Sequence, residues 1–290
     1  MALGIQTNAL VALAAAASWG GGDFSGGMGV KAAGPSLASA LRFVVVAYAL
    51  SLAVMLGVVV LRHDPWPVSP VLLGWGVAGG VAAGFSLVAF YIALSRGAMG
   101  ASAAVSGLLA AAVPAVVSSA IEGAPSGLRL CGFGLAAAAI WMIAAGPAAE
   151  HAKPGTMWLA IGGGLGFGFY FVALRMDNPL GVAVPLVLSR AASLVTCLVL
   201  LAVLRRAPEG PWLSRGAGGW AMGVAVLDTG GNLLFLTATR MGRLDVAAVL
   251  ASLYPAGTIL LAGWRLKERP TRRQVAGMVV ALAAVVMITV

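Results

Sequence analysis

Charge is what this sequence has least of. Only 9% of its 290 residues are charged, against roughly 25% in a soluble domain. That scarcity excludes a water-bathed surface over most of the chain. Residues 43–61, 97–121, 130–149 and 274–290 contain no charged side chain at all. The sequence has two cysteines, Cys131 and Cys197, both in apolar stretches, and two histidines, His63 and His151, each isolated in a loop. This excludes a disulfide scaffold and leaves no set of ligands spaced for a metal. There is no Walker loop, no HExxH and no Gly-x-Ser-x-Gly elbow, so ATP drive, zinc hydrolysis and serine acyl transfer lack their usual motifs. No enzyme activity, metal or cofactor is expected.

What is there is apolar sequence: 61% of residues are hydrophobic, and 40 others are glycines. A spanning helix needs about 20 such residues in a row, and the alternation of a lipid-facing β-barrel strand is absent. Ten spans are expected, at 8–30, 36–61, 71–94, 99–120, 127–147, 156–175, 181–204, 217–239, 244–265 and 271–290. The first apolar run is preceded by no Lys or Arg, which argues against a cleaved signal peptide. Connectors are short and leave no room for a soluble domain. Thr271 followed by Gln274 forms a capping-box pattern at the start of the last span. Glycines within the spans, such as Gly22 and Gly26 one turn apart, let helices approach closely in lipid. Pro114, Pro185 and Pro255 fall inside spans and favour kinks. Pro114 and Pro255 are the candidate hinges.

Residues 74–97 reappear at 219–242, displaced by 145. Gly74, Trp75, Val81, Phe90, Ala93 and Gly97 match Gly219, Trp220, Val226, Phe235, Ala238 and Gly242. The scarce residues Trp and Phe carry this match. It divides the chain into two five-span units, 1–149 and 150–290. An odd unit, once duplicated, must enter the membrane the opposite way round, so the units are expected to be inverted repeats. Eleven basic residues lie in connectors after odd-numbered spans and five after even-numbered ones. The odd connectors are therefore expected inside and both termini outside. The net charge of +9, from 18 basic and 9 acidic residues, follows from connectors and does not point to nucleic acid. The basic group at 265–273 is a candidate contact for anionic lipid headgroups.

Four stretches resemble the drug/metabolite transporter superfamily in its ten-helix EamA branch. They are Trp19-Gly20-Gly21-Gly22-Asp23-Phe24, Ala93-Leu94-Ser95-Arg96-Gly97, Ala247 through Tyr254-Pro255, and Leu266-Lys267-Glu268-Arg269-Pro270 with Gln274 and Gly277. The first unit departs from the pattern. Ala110 stands where the repeat shift puts Pro255, and Glu122 partners Glu268 without its flanking basic residues. The resemblance implies a secondary transporter of the inner membrane, with a central cavity lined by spans 1, 3, 4, 6, 8 and 9 and usually working outward.

Asp23, Arg42, Arg190 and Asp228 are the ionisable residues inside predicted spans. Each costs about 2.5–3.5 kcal/mol at a helix centre on insertion scales, so each is a functional candidate by default. Asp228, with Asn232 one turn away, is the leading candidate to bind a substrate ammonium and exchange a proton. Asp23 with Trp19 offers a second carboxylate and an aromatic wall for a cation. Tyr91, Tyr170 and Tyr254 are candidate cavity residues. Arg42 and Arg190 occupy similar places in spans 2 and 7, expected at the periphery, where they would snorkel or pair with an Asp. Trp66, Trp75, Trp212 and Trp220 lie near span ends as belt residues. The expected partners are a small-molecule substrate, a proton as candidate coupling ion, and the lipid bilayer. Three readings stay open: export of an amino acid or amine, proton-coupled efflux of lipophilic cations, and a non-transporting membrane scaffold. Composition and spacing say nothing about oligomeric state.

Overall fold

With lipid as solvent, every backbone polar group must be satisfied within its own segment, and a helix does that. The computed structural model describes residues 7–34, 36–63, 69–96, 99–144, 154–203, 212–266 and 271–289, and these are helices and short connectors. The helices are α1 (Thr7–Ala33), α2 (Leu37–Arg62), α3 (Pro70–Ser95), α4 (Met99–Ile121), α5 (Gly127–Ala144), α6 (Thr156–Met176), α7 (Ala183–Val203), α8 (Arg215–Met241), α9 (Leu244–Ala251), α10 (Tyr254–Leu266) and α11 (Arg272–Thr289). Seven segments among the described residues are long and apolar enough to cross a membrane, α9 and α10 together making one of them. Gly97, the belt residue Trp66, His151 and residues 267–270 of the basic junction lie outside the described residues.

Side-chain caps fix two helix starts, of which the sequence pointed to the second. Ser36 caps α2, accepting from the Ser39 N–H at 3.0 Å. Thr271 and Gln274 close their capping box: the Thr271 N–H donates to Gln274 Oε1 at 2.8 Å and the Gln274 N–H to Thr271 Oγ1 at 3.2 Å. Large apolar side chains face outward, among them Leu61, Val71 and Trp158, as lipid-facing positions should.

The prolines divide in three ways. Pro114 sits inside α4, which continues through it. Pro185 is the third residue of α7, so it removes no helix bond and is not the interior kink that the sequence favours there. The expected single span at 244–265 is interrupted at Ser252 and Leu253, and Pro255 is the second residue of the new helix α10.

Pairings follow a rule. α1 packs on α8 and on α9–α10, while α6 packs on α3 and on α4; α2 packs on α7, and α5 on α11. Counting α9–α10 as one, a shift of five helices exchanges the α1 pairings with the α6 pairings and returns α2–α7 and α5–α11 to themselves. The end where α1 begins, called the near end, also holds the α4–α5, α6–α7 and α8–α9 connectors. The far end holds the ends of α1 and α3 and the starts of α2 and α6.

Candidate substrate pocket

Glycine positions the site. A Cβ at Gly22 would stand 3.3 Å from the Asp228 nitrogen, and one at Gly231 would stand 2.4 Å from the Trp19 ring. α1 and α8 therefore cross in near contact, with the Trp19 ring lying over Gly231. Ser18 Oγ donates to the Leu227 carbonyl at 2.7 Å and fixes the register of the crossing. On the other side of α1, a Cβ at Gly20 would stand 2.8 Å from the Tyr254 carbonyl oxygen. That carbonyl lies beside the α9–α10 break, and Thr258 Oγ1 donates to the Gly20 carbonyl at 3.2 Å.

These contacts gather a central pocket lined by Trp19, Asp23, Leu87, Phe90, Ala110, Phe167, Tyr170, Phe171, Asp228, Asn232 and Tyr254. They come from α1, α3, α4, α6, α8 and α10. Six of the seven substrate candidates from the sequence thus lie together. The seventh, Tyr91, is fully buried one position beyond Phe90, with its ring on Gly26. The cavity volume is about 30 Å³, room for water but not for a metabolite.

The walls are aromatic. Trp19 stacks on Phe171 with centroids 5.0 Å apart and meets Tyr254 edge-on at 6.5 Å. Phe90 stands edge-on to Tyr254 at 6.3 Å and to Phe167 at 5.7 Å. Phe167 and Phe171 were not singled out from the sequence. Their signal was available: 167, 170 and 171 share one face of a glycine-rich helix.

The charges are not arranged as the sequence suggested. Asp228 does not offer a free carboxylate, because Arg190 forms an ion pair with its Oδ2. Asn232 Nδ2 donates to Asp228 Oδ1 at 3.2 Å and to the Asp228 carbonyl at 2.6 Å. Nor is Arg190 peripheral: α7 packs against α2 and α3, and the side chain is 2% exposed with its guanidinium 5.2 Å over the Tyr48 ring. Asp23 is the unengaged carboxylate. It is half-buried, lines the pocket, and makes no hydrogen bond or ion pair with the described residues. Asn232 Oδ1 and the Tyr170 hydroxyl are buried without hydrogen-bond partners. Arg42 is buried in α2 with Nε unpartnered and no ion pair to the described residues.

The pocket is closed toward both ends by different means. Toward the far end, Tyr91 sits on Gly26 and Phe43 on Gly29. Beyond them opens a cavity of about 660 Å³, with Val30, Lys31, Leu37, Ile92, Arg96 and Leu159 in its walls. At the near end, Glu122 accepts from Arg175 at 3.0 Å, from Ser118 Oγ at 2.7 Å and from the Leu244 N–H at 3.0 Å. Burial alone would push the Glu122 carboxyl up, but these hydrogen bonds hold it below its ordinary value. Arg243 adds donors to the Glu122 and Gly123 carbonyls and an ion pair to Asp245.

Residues 154–290, which supply α6 to α11, match the model of the EamA-like transporter family. This segment is similar to the EamA-like transporter family, within the drug/metabolite transporter superfamily. The chain is a multi-pass membrane protein, as its long apolar helices also indicate. The fold is similar to that of a solved protein described as "Crystal structure of protein", with a TM-score of 0.72 over 98% of this chain and 96% of that one. Identity to it is 16%, so the likeness bears on fold alone. No curated protein matches the chain.

Proposed function

We propose that this transporter exports a small metabolite, an amino acid or other amine, across the inner membrane by alternating access. The observation that carries the proposal is an unengaged carboxylate, Asp23, set in an aromatic cage one turn from Trp19 and beside a buried Arg190–Asp228 pair. A primary ammonium gains charge pairing from Asp23 and cation–π contact with Trp19. The Asn232 and Tyr170 oxygens, unpartnered in the empty pocket, are then available to orient it. A proton on Asp228 would weaken its hold on Arg190 and free the guanidinium for a substrate carboxylate. Proton and zwitterion would then bind cooperatively to this set of charges, which is a minimal basis for coupling.

The access cycle in this reading moves two inverted five-helix units, 1–149 and 150–290, past one another in ten spans. The exchange of pairings under a five-helix shift supports it, as does a family match that begins at residue 154. Pro114 and Pro255 serve as hinges, and the helix break before Pro255 favours the second. The charge count keeps both termini outside.

A second reading is favoured by the six aromatic residues that line the pocket with Asp23: proton-coupled efflux of lipophilic cations. Ligand-induced thermal stabilisation separates them. Purified protein is screened with amino acids, amines and unrelated organic cations at two pH values. A ligand at 100 times its Kd adds about 2.7 kcal/mol. Shifts confined to a few amino acids or amines support the exporter, and broad shifts support cation efflux. If no ligand shifts the melting point and Asn232→Cys resists water-soluble thiol reagents, the pocket is dry and the chain is a membrane scaffold.

A further inference from the structure

A second ionisable site lies outside the central pocket. The turn Asn178–Leu180 joins α6 to α7 at the near end. Asp177, immediately before it, is 0% exposed, and neither of its carboxylate oxygens has a hydrogen-bond partner among the described residues. The Asn178 side-chain oxygen is also buried and unpartnered. The seat is apolar: a Cβ at Gly76 of α3 would stand 3.0 Å from Asp177 Oδ2 and 2.9 Å from the Leu188 Cβ of α7. Only a glycine at 76 leaves space for the carboxyl there. An isolated carboxylate in such a place takes up a proton rather than remain charged.

The ionisable groups around it do not change this. Tyr170 of α6 lies within electrostatic reach. Arg175, also on α6, is engaged by Glu122 from the end of α4. Arg240 of α8 donates to the Asn178 carbonyl, not to Asp177. α3 and α7 present Gly76 and Leu188, which do not titrate. Burial is the single cause acting on the Asp177 carboxyl, and it pushes it up to about 7.

We propose that Asp177 is a proton-binding site, separate from the substrate pocket, whose protonation holds the near end shut. A neutral carboxyl fits the seat against α3. An ionised one requires water, which enters only if the turn lifts away. The same turn is tied to α8 through Arg240 on the Asn178 carbonyl and Asn178 Nδ2 on Thr239 Oγ1 at 3.4 Å. Lifting it parts the α6–α7 connector from both α3 and α8, which opens the near end. The sign follows from the raised affinity. The closed state is favoured most below about pH 3.9, the value of a hydrated Asp. It loses about tenfold against the open state per pH unit up to about 7 and is level above that. The compartment bathing the near end therefore sets how readily that end opens. The link to transport rests on alternating access, but protonation itself can be measured without a substrate.

The test is hydrogen–deuterium exchange of the peptide covering 176–183 in the full chain, corrected for intrinsic rates, from about pH 5 to about pH 8. In wild type, protection should fall about tenfold per unit and level off near 7. In Asp177→Asn it should stay high and flat, while Asp23→Asn keeps the wild-type profile whatever its effect on ligands. Identical profiles in wild type and Asp177→Asn overturn the proposal. So does protection that follows sodium at constant pH. If Asp177→Asn does not fold, the infrared carbonyl band of a protonated carboxyl is titrated in Asp23→Asn/Asp228→Asn. A band lost near pH 7 supports the site, and no such band overturns it.

Discussion

The crossing of α1 with α8 and the crossing of α3 with α6 correspond under the five-helix shift, and they carry different chemistry. Both are built on glycine. In the second, a Cβ at Gly79 would stand 2.7 Å from the Ala173 Cβ, and one at Gly166 would stand 2.0 Å from Ser86 Oγ. The first crossing carries Asp23 on one helix and Asp228 on the other. At the positions displaced by 145, the second has Gly168 and Ala83. Ala83 offers only its carbonyl, which accepts from the Tyr48 hydroxyl at 3.1 Å. Close packing is thus common to both crossings, and at these positions the acids are confined to one. Two frames packed alike need not carry the same chemistry.

The largest effect expected from breaking this contrast is at the charged crossing. Arg190→Met leaves Asp228 without its cation and should cost about 3–5 kcal/mol, the range for removing one partner of a buried pair. Adding Asp228→Asn should restore a good part of it. Chemical denaturation of the purified protein in micelles reads both. Next comes the glycine frame itself. Gly80→Ala puts a Cβ 2.4 Å from the Ser189 carbonyl oxygen and should destabilise by about 1–3 kcal/mol through overpacking. Gly57→Ala meets nothing within 4 Å and should gain up to about 1 kcal/mol from helix propensity. Equal melting points for these two variants would contradict the packing account.

A smaller effect concerns the near end, where two carboxyls respond to pH with opposite sign. The Glu122 carboxyl is held low, so its contribution is present above the ordinary glutamate value of about 4.3 and is lost as pH falls below it. The Asp177 carboxyl, raised to about 7, contributes below that value and loses its effect as pH rises through it. Closure of the near end should therefore be tightest at mildly acid pH. Glu122→Gln should weaken it there by about 1 kcal/mol, discounted for the part-exposed Arg175, and should remove the acid limb only. Exchange of the 121–127 peptide against pH checks this.

The helical membrane architecture was legible in the sequence because lipid imposes it: long uncharged runs, with glycine within them. The membrane-embedded charges were legible for the same reason, since each is costly where it stands. That an arginine would meet an Asp was expected, but which residues pair was not. Arg190 and Asp228 are 38 residues apart, and hydropathy reports depth rather than which faces meet. Asp23 therefore ranked below Asp228 until Arg190 was seen to occupy the latter. Asp177 was missed because it lies just past a span, where an acid normally meets water, and only the fold shows that Gly76 and Leu188 cover it. The break at Ser252 was foreshadowed by Pro255, whereas the unbroken course of α4 through Pro114 depends on its neighbours.

The account rests most directly on Asp23 as the carboxylate that receives the substrate's ammonium. The decisive measurement is uptake into proteoliposomes of whichever amine or amino acid stabilises the wild-type protein, compared in wild type, Asp23→Asn and Asp177→Asn at one pH. Loss of a charge-assisted hydrogen bond worth about 1.5–3 kcal/mol predicts at least about tenfold weaker apparent affinity in Asp23→Asn, while Asp177→Asn retains affinity and changes the pH profile. Unchanged affinity in a folded Asp23→Asn protein would contradict the assignment of the site.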